Sequence, residues 1–430
     1  MPVGEQSPAA ADVGPDPDAG SQRDLGPMEL GVVLDLGQAE EPDAATPRDA
    51  EPSPDAAVDA GIDGGSNPGL VPMFVAQGMV GRTTVSCDDG HTWIADRAWD
   101  TEADPHLCNS SGPIECYASG SSCGFVWYDG TCSESPDCDC GHSPGFGKGV
   151  VHGAGHFVAT WGWGYPGAAR RSRDGIRWET TKDGDQFGGL AYGGGRFVLA
   201  SRTPFHSVDG FEWIASDEAD FRQPDGEVIW SVRRFAFADV MGGRFLAVAS
   251  GNNGRDLLLS SDGGETWWRP TTIPADCANE VSTYGGIVAG NGVMVIVDQQ
   301  ARACRSSDGG VTWSTVQIGD LEIYSHGIFT GQEFWFWGND DQRWSSPDGQ
   351  SWTATPMTRP QRIGPVARSP NGTLVAVENV WLGYQDQRFL RSDDDGLTWQ
   401  VLPNTAFNPS HPIFYLSYGE AEPSPECPGR

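Results

Sequence analysis

One short signature recurs seven times between Ser86 and Trp399 of this 430-residue chain. It consists of a Ser, an Asp two residues later, a Gly one or two residues after the Asp, and a Trp three residues after the Gly. Ordinary residue frequencies predict one match at about 10⁻⁵ or fewer of positions, so seven matches constitute a repeat. A repeat of this period predicts a solenoid, a propeller or an array. The copies are Ser86–Trp93, Ser172–Trp178, Ser207–Trp213, Ser260–Trp267, Ser306–Trp313, Ser346–Trp352 and Ser392–Trp399.

The residue types of the signature suit a tight turn. Asp and Ser side chains hydrogen-bond nearby backbone groups, Gly adopts a positive φ without steric cost, and Trp buries a large ring behind the turn. Catalysis needs groups that converge on one site, whereas seven equivalent turns lie apart. The seven acidic residues are therefore predicted to cap turns: Asp88, Asp174, Asp209, Asp262, Asp308, Asp348 and Asp394.

The signature resembles the Asp-box, also called the BNR repeat, of the sialidase superfamily and related propellers. The resemblance covers the chain from about residue 70 to its end. It implies a β-propeller, in which each turn joins the third strand of a four-stranded blade to the fourth.

Apolar hairpins with Gly-rich tips precede every signature after the first and predict strands A and B of each blade. The first signature has only two predicted strands before it, and a strand over 412–418 follows the last. Pairing that strand with the first blade would close the ring and remove exposed sheet edges. The predicted fold class is therefore all-β, a seven-bladed β-propeller over residues 69–430 with a cysteine-rich insertion at 101–147.

Residues 1–68 have a different composition. They contain fifteen carboxylates against Arg23 and Arg48 and no aromatic residue. Such a segment cannot bury enough apolar surface to offset its ordering entropy, which predicts a disordered, extended tether. The tether resembles the acidic linkers that follow the lipid anchor of many bacterial surface lipoproteins.

The ten cysteines indicate an oxidising compartment, and we expect an exported chain whose targeting segment is absent from this sequence. Closure of the ring brings Cys87 and Cys427 together, and Cys277 and Cys304 form the second predicted pair. A small polar segment without a core of its own is predicted to hold the other disulfides, among Cys108, Cys116, Cys123, Cys132, Cys138 and Cys140. The alternative is a metal site of Cys132, Cys138, Cys140 and His142, whose spacing differs from that of common zinc modules.

The predicted topology sorts the loops by face. The A–B tips and signature turns share one face, the turn face, whereas the B–C and D–A loops share the opposite loop face, where propellers generally bind or react. Aromatic residues suited to stacking on sugars or anchoring a protein fall in those loops. They are Trp161, Trp163, Tyr165, Trp230, Trp381 and Tyr384; the alternative is that these rings cap the blade ends. Trp335 and Trp337 alternate within a strand and are predicted to be core.

Arginines recur near the starts of the predicted C strands, at Arg82, Arg170, Arg255, Arg302, Arg343 and Arg388. Sialidases hold a substrate carboxylate with an arginine cluster, and guanidinium groups suit carboxylates. The resemblance makes Arg343 a candidate ligand-binding residue; the alternative is a solvated position at a strand end. The family's Arg-Ile-Pro motif near the first blade is missing, since Arg362-Ile-Gly-Pro comes late in the chain.

A glycoside hydrolase would need two opposed carboxylates. Weak catalytic candidates on the loop face are Asp298, Asp340, Asp341 and Asp386, with Glu280 and Glu322 in similar loops. The alternative is that these loops are acidic because the whole surface is.

Two function classes follow. The first is an exported or cell-surface propeller that binds a glycan or an extracellular protein through its aromatic loops. The second is a secreted glycoside hydrolase, sialidase-like or of another Asp-box family. The net charge of −32 excludes nucleic acid as a partner, membrane contact is expected only through a lipid anchor absent from this sequence, and a monomer is expected. No cofactor is predicted, although calcium stays open because carboxylates are plentiful.

Overall fold

The chain divides into two units, Met1–Ala60 and Gly61–Arg430, and the fold described here belongs to the second. The computed structural model describes residues 69–78, 83–94, 114–115, 125–126, 132–133, 146–162, 167–183, 187–217, 231–251, 254–270, 286–298, 301–319, 327–338, 341–358, 363–378, 388–403 and 413–428. Within these ranges the regular elements are β-strands, and no helix of a length and hydrophobicity that could cross a membrane occurs among them. The predicted tether over 1–68 lies outside the described residues.

Seven antiparallel sheets form the blades of a ring, which confirms the predicted seven-bladed β-propeller. The first blade contains β1 (Val71–Gly78), β2 (Thr83–Ser86) and β29 (Ile413–Ala421). Three short strands of the cysteine-rich insertion form a separate small sheet: β3 (Ile114–Glu115), β4 (Phe125–Val126) and β5 (Cys132–Ser133).

The second to fourth blades follow in chain order. From the inner strand outwards, the second contains β6 (Phe146–Gly153), β7 (His156–Gly162), β8 (Ala168–Ser172) and β9 (Glu179–Asp183), and the third contains β10 (Leu190–Gly193), β11 (Arg196–Leu199), β12 (Phe205–Ser207) and β13 (Ile214–Ala215). The fourth contains β14 (Ser231–Ala238), β15 (Arg244–Gly251) and β16 (Gly254–Ser260). A bridge between Leu259 and Trp268 stands where its outer strand would be.

The remaining three blades have four strands each. The fifth contains β17 (Ile287–Gly290), β18 (Val293–Val297), β19 (Arg302–Ser306) and β20 (Ser314–Gln317), and the sixth contains β21 (Ile328–Phe329), β22 (Phe334–Trp337), β23 (Gln342–Ser346) and β24 (Thr353–Pro356). The seventh contains β25 (Ile363–Arg368), β26 (Leu374–Glu378), β27 (Phe389–Ser392) and β28 (Gln400–Val401).

The C-terminal strand closes the ring as predicted. β29 pairs antiparallel with β1 from Val71 opposite Ala421 to Gly78 opposite Ile413, so it is the inner strand of the first blade. β29 contacts the inner strands of the two adjacent blades, β6 of the second and β25 of the seventh. The first blade is thus built from both ends of the propeller.

The core consists of apolar clusters between adjacent blades. Met73 and Val75 of the first blade pack with Phe157 and Ala159 of the second, for example, and equivalent clusters occupy each of the seven blade junctions. Trp335 and Trp337 belong to the cluster between the sixth and seventh blades, as predicted. Because successive strand residues point to opposite faces of a blade, each strand contributes to two junctions.

Candidate binding site

All seven signature turns share one hydrogen-bonding arrangement. The Ser hydroxyl donates to the Asp carboxylate, as Ser306 does to Asp308 at 2.9 Å, and the same Asp accepts main-chain N–H groups that follow it in the turn. The signature Gly has a positive φ in every copy, from 70° at Gly349 to 94° at Gly264. The Asp residues are therefore occupied inside their own turns. Equivalent Ser-to-Asp bonds occur in the other six turns.

Four of the turns are one residue longer and contain a Thr before the Trp. In the fifth blade the Thr312 hydroxyl donates to the second carboxylate oxygen of Asp308 at 2.6 Å. Burial opposes ionisation of Asp308, but the hydrogen bonds from Thr312 and Ser306 outweigh it and hold the pKa of this carboxyl below its ordinary value. The pKa of Asp348, in a shorter turn, is lowered first by the main-chain N–H of Ser351.

Each signature Gly lies against the preceding blade. A Cβ added at Gly175 would come within 2.5 Å of the Met73 sulfur, and one at Gly349 within 2.6 Å of a Val295 methyl carbon. The turns therefore close the blade junctions on the turn face. Each signature Asp is hydrogen-bonded within its own turn, so the described signature turns do not present two carboxylates that could act together on that face.

Arginines of one blade bind the turn of the next. Arg171, Arg305 and Arg391 each stand directly before the signature Ser of their own blade. Each donates to a main-chain oxygen of the following turn, at 3.3, 2.5 and 3.0 Å respectively. These contacts join blades two to three, five to six and seven to one.

The prediction that Arg343 binds a ligand is wrong on its geometry. Arg343 is buried, donates to the main-chain oxygen of Asp395 at 2.7 Å and stacks over Trp335 at 4.2 Å. Burial lowers the pKa of its guanidinium, although Asp395, Glu333 and Asp394 act in the opposite direction. Arg343 therefore makes the same kind of contact as Arg171, Arg305 and Arg391: an arginine of the sixth blade binds the signature turn of the seventh blade.

Trp161 is also misassigned as an exposed aromatic of the loop face. Its side chain is fully buried, its indole N–H donates to the Gly78 main-chain oxygen, and its ring meets Trp178 edge-on at 6.3 Å. It lies in the cluster of Phe157 and Ala159, four and two residues before it. Its neighbours in the prediction, Trp163, Tyr165, Trp230, Trp381 and Tyr384, lie outside the described residues.

Two described carboxylates that border the loop face, Asp298 and Glu378, are held by arginines. Asp298 follows β18, is buried, and accepts hydrogen bonds from both the main-chain N–H and the Nε of Arg302, at 2.7 and 2.9 Å. Glu378 ends β26 in the same way and forms a two-point ion pair with Arg388, at 2.8 and 2.7 Å. Both carboxylate oxygens of Asp298 are thus engaged by Arg302, so Asp298 is corrected from catalytic candidate to structural residue.

Asp341 has a different local role. Its φ is 58°, and its main-chain oxygen accepts the N–H of Met357, which directly follows the outer strand β24 of its blade. Asp340, Asp386, Glu280 and Glu322 fall outside the described ranges, so their roles stay predictions.

A cavity of about 160 Å³ opens at the centre of the ring. Five neighbouring inner strands, β29, β6, β10, β14 and β17, or the residues just before them, supply its described lining. Most of these residues lie in the first half of their strands, which places the cavity toward the loop face. The described lining residues are Lys148, Gly149, Val150, Gly189, Leu190, Phe235, Gly286, Ile287 and Tyr415.

This cavity is a structural feature that sequence reasoning missed. Its polar side chains are Lys148 and Tyr415, and its remaining described side chains are apolar. One signal was available, since Lys148 and Lys182 are the only lysines in the chain. The other lining residues come from strands with no shared motif.

The disulfide between Cys87 and Cys427 confirms one predicted pair. Their Cα atoms are 5.8 Å apart across a sequence separation of 340 residues. Cys304 is disulfide-bonded as well, while Cys277, its predicted partner, falls in a part of the chain that the structure does not describe. The predicted disulfides or metal ligands over 108–142 are not described at side-chain level either. Where side chains are described, no group of three His, Cys, Asp or Glu residues could hold a metal ion.

The similarities of this chain to known proteins are distant. No protein-family model matches the sequence, and no curated protein matches it. Among solved structures, Citrobacter koseri AztD is similar over 82% of this chain and 98% of its own, at 8% identity and a TM-score of 0.46. YCF48 bound to a D1 peptide is similar over 59% of this chain and 81% of its own, at 17% identity and a TM-score of 0.42. The Niastella koreensis GH74 enzyme matches over 76% of this chain and 66% of its own, at 14% identity and a TM-score of 0.29. No residue role is transferred from likenesses at this level.

Proposed function

We propose that this protein is an exported, non-catalytic binding propeller that recognises a glycan or a protein through its loop face. The observation that carries the proposal is the composition of the central cavity, whose described lining offers one lysine and no carboxylate. Hydrolysis of a glycosidic bond requires two carboxyl groups about 5–9.5 Å apart across the scissile bond. A central site of the described composition supports binding and not this chemistry.

The state of the neighbouring carboxylates supports the same proposal. Asp298 and Glu378 occupy equivalent places at the ends of second strands, in the fifth and seventh blades, and each is held by an arginine of the following strand. Such pairs fix the two ends of a B–C connection. They give the loop face a rigid base, on which binding loops are commonly carried.

Aromatic residues in the connections supply the proposed contacts. The sequence places Trp163 and Tyr165 between β7 and β8, and Trp381 and Tyr384 between β26 and β27. Both connections leave the ring at the same face, because both join a second strand to a third. Tyr and Trp present large rings with a polar handle, which suits both sugar stacking and protein anchoring.

Export is proposed from the disulfides. Cys87–Cys427 joins the two ends of the ring, and disulfides of this kind persist in oxidising compartments. The acidic segment before the propeller would then hold the ring away from the surface to which the chain is attached.

The test combines a hydrolysis screen with binding on the same oxidised protein. Sialosides, β-glucans and other polysaccharides are screened for turnover, and glycan and extracellular-protein arrays are screened for binding. We expect binding without turnover, and at least about a tenfold loss of affinity for Trp163→Ala or Trp381→Ala, because a buried aromatic anchor contributes about 2 kcal/mol or more. Phe211→Ala is the matched control, since Phe211 is an exposed aromatic of a signature turn.

Two results would overturn the proposal. Turnover that disappears in Asp340→Asn or Asp386→Asn would make the protein a glycoside hydrolase. Binding that is lost equally in Phe211→Ala would place the ligand on the turn face.

A further inference from the structure

We infer that the junction between the third and fourth blades is a pH-sensitive contact, which loosens when the His206 side chain takes up a second proton. Three residues form this contact: His206, Arg196 and Glu265. The inference goes beyond the proposed function, because it concerns how two blades are held together on the turn face and not what the loop face binds. Its test is therefore independent of whether a glycan or a protein occupies the loops.

His206 stands at a position where three other blades carry an arginine. It directly precedes the signature Ser of its blade, as Arg171, Arg305 and Arg391 do in theirs. His206 is buried, with 4% of the residue exposed, and a Cβ added at Gly264 in the fourth blade's turn would lie 3.4 Å from the His206 Cβ. The third blade therefore presents to the next turn a side chain that titrates near neutral pH, where the other three present a permanent cation.

Arg196 joins the imidazole to the fourth blade's turn. It is the first residue of β11; its Nη1 lies 3.1 Å from His206 Nδ1, and its Nη2 lies 3.0 Å from Glu265 Oε1. A guanidinium stays protonated and has no acceptor, so Nδ1 accepts this hydrogen bond and the neutral imidazole carries its proton on Nε2. One cation is thus shared between a neutral ring of the third blade and a carboxylate of the fourth.

Three charged groups of the described residues act on the His206 imidazole. Arg196 comes from β11, and Glu265 and Asp262 come from the fourth blade's turn. On β13, the residue paired with His206 is the uncharged Ile214. The Asp262 carboxylate already accepts hydrogen bonds from two hydroxyl groups of its own turn. Glu265 is therefore the carboxylate that holds Arg196.

A second proton on His206 would displace the hydrogen bond from Arg196. It binds at Nδ1, the atom that accepts this bond, and the imidazolium then has two donors and no acceptor. His206 and Arg196 would become two cations beside one carboxylate, that of Glu265. Burial and the Arg196 charge lower the pKa of His206, while Glu265 and Asp262 act in the opposite direction. The folded junction therefore favours the neutral ring.

Acid is expected to weaken this junction. Because the pKa of His206 is lower in the folded ring than in the unfolded chain, the stabilisation by the neutral imidazole is complete above the ordinary value of about 6.5. This stabilisation is lost as the pH falls below that value toward the folded one. Carboxylates have ordinary pKa values of about 4, so the signature turns titrate in a separate, more acidic range.

Two structurally equivalent amides report on this junction and on another one. The main-chain N–H of Asp217, just after β13, donates to the Glu265 oxygen in the fourth blade's turn at 3.3 Å. The N–H of Thr358, just after β24, donates to the Leu397 oxygen in the seventh blade's turn at 2.8 Å. Both acceptors directly follow the signature Gly, and the second junction is held by Arg343. Loosening of the junction between the third and fourth blades should expose the first amide and leave the second protected.

The experiment measures hydrogen exchange of these two amides in the native, oxidised protein at about pH 8 and about pH 5.5, on either side of the ordinary histidine pKa. Rates corrected for the intrinsic effect of pH give a protection factor for each amide. We expect Asp217 to lose about tenfold or more protection relative to Thr358 at the lower pH, because a hydrogen bond to a charged group contributes a factor of this size. Equal changes at the two amides would overturn the inference without any variant.

Three variants assign the change to the His206 contact. His206→Gln keeps an acceptor for Arg196 but cannot take up a proton, so Asp217 should stay protected at both pH values. Arg196→Met removes the bridge, so Asp217 should be exposed at both. His152→Gln is the matched control and should respond as the parent does, since burial also lowers the pKa of His152 but its ring contacts the Glu420 oxygen of the first blade. A loss on acidification that persists in His206→Gln or in Arg196→Met would contradict the inference.

Discussion

Arg391 of the seventh blade donates a hydrogen bond to the main-chain oxygen of Asp89 in the first blade's turn, 302 residues away in sequence. The guanidinium also reaches Asp393 and the Thr373 hydroxyl, and only 6% of the side chain is exposed. The junction that closes the ring is thus formed by the same type of contact that Arg171 and Arg305 make inside it. Two further interactions close the ring at the first blade: the Cys87–Cys427 disulfide and the pairing of β1 with β29.

Replacement of Arg391 by Met should weaken the closing junction. The apolar stem stays, but the Asp89 oxygen and the Thr373 hydroxyl lose their donor, and an unsatisfied buried partner costs about 1–3 kcal/mol. Arg173→Met is the control, because Arg173 forms an exposed ion pair with Glu422 at 3.6 Å that should contribute only about 0–1 kcal/mol. Equilibrium urea unfolding measures both variants. An Arg391→Met variant as stable as Arg173→Met would show that this contact does not hold the ring closed.

The Cys87–Cys427 disulfide should stabilise the ring by restricting the unfolded chain. Its loss is expected to cost about 2–5 kcal/mol, near the upper end because the loop is long. Cys87→Ser, Cys427→Ser and the double variant should lose the same stability, since each removes the same single bond. The free energies of unfolding are compared under oxidising conditions. A double variant that loses the sum of the two single losses would mean that the cysteines act independently.

The blade count, the ring closure and one disulfide were predictable because they follow from a local repeat. Every copy of the signature encodes its own turn. The strand predicted after Trp399 had no partner in the last blade, so its one available place was beside the incomplete first blade. The pairing of Cys87 with Cys427 then followed from where closure places the two chain ends.

The errors concern residues whose surroundings come from another blade. Arg343 was placed at a strand end, but its length lets it reach Asp395 of the next blade. Trp161 was read as part of a loop, although alternation with Phe157 and Ala159 puts it on the buried face of β7. The central cavity could not be predicted, since Lys148, Phe235 and Tyr415 share no motif and meet only on the ring axis.

Acid should destabilise the propeller through its signature turns. The pKa of Asp308 is lowered on folding, so its contribution is fully present above the unfolded value of about 3.9 and is lost as the pH falls through the folded value. Thr312→Val removes the hydroxyl donor, so the Asp308 pKa should move toward its ordinary value and stability near pH 7 should fall by about 0.5–1.5 kcal/mol. Thr312→Ser keeps the hydroxyl and should retain the acid dependence of the parent. Urea midpoints between pH 2 and 7 give the comparison. Equal pH profiles for Thr312→Val and Thr312→Ser would exclude the hydroxyl as a cause.

Alanine substitutions at two glycines can distinguish two costs: the backbone strain of a positive φ, and the steric clash of a signature turn with the preceding blade. Gly175 and Gly195 have nearly the same φ, 72° and 75°, but a Cβ at Gly175 would lie 2.5 Å from the buried Met73 sulfur, whereas one at Gly195 meets no atom within 4 Å. Gly195→Ala should therefore cost only the backbone strain, about 1–2 kcal/mol. Gly175→Ala should cost about 1–3 kcal/mol more, since the junction between the first two blades must shift to admit the methyl group. Urea unfolding of the two variants measures the difference. Equal losses would mean that Met73 and its neighbours yield without cost, and that the turns do not fix the spacing of the blades.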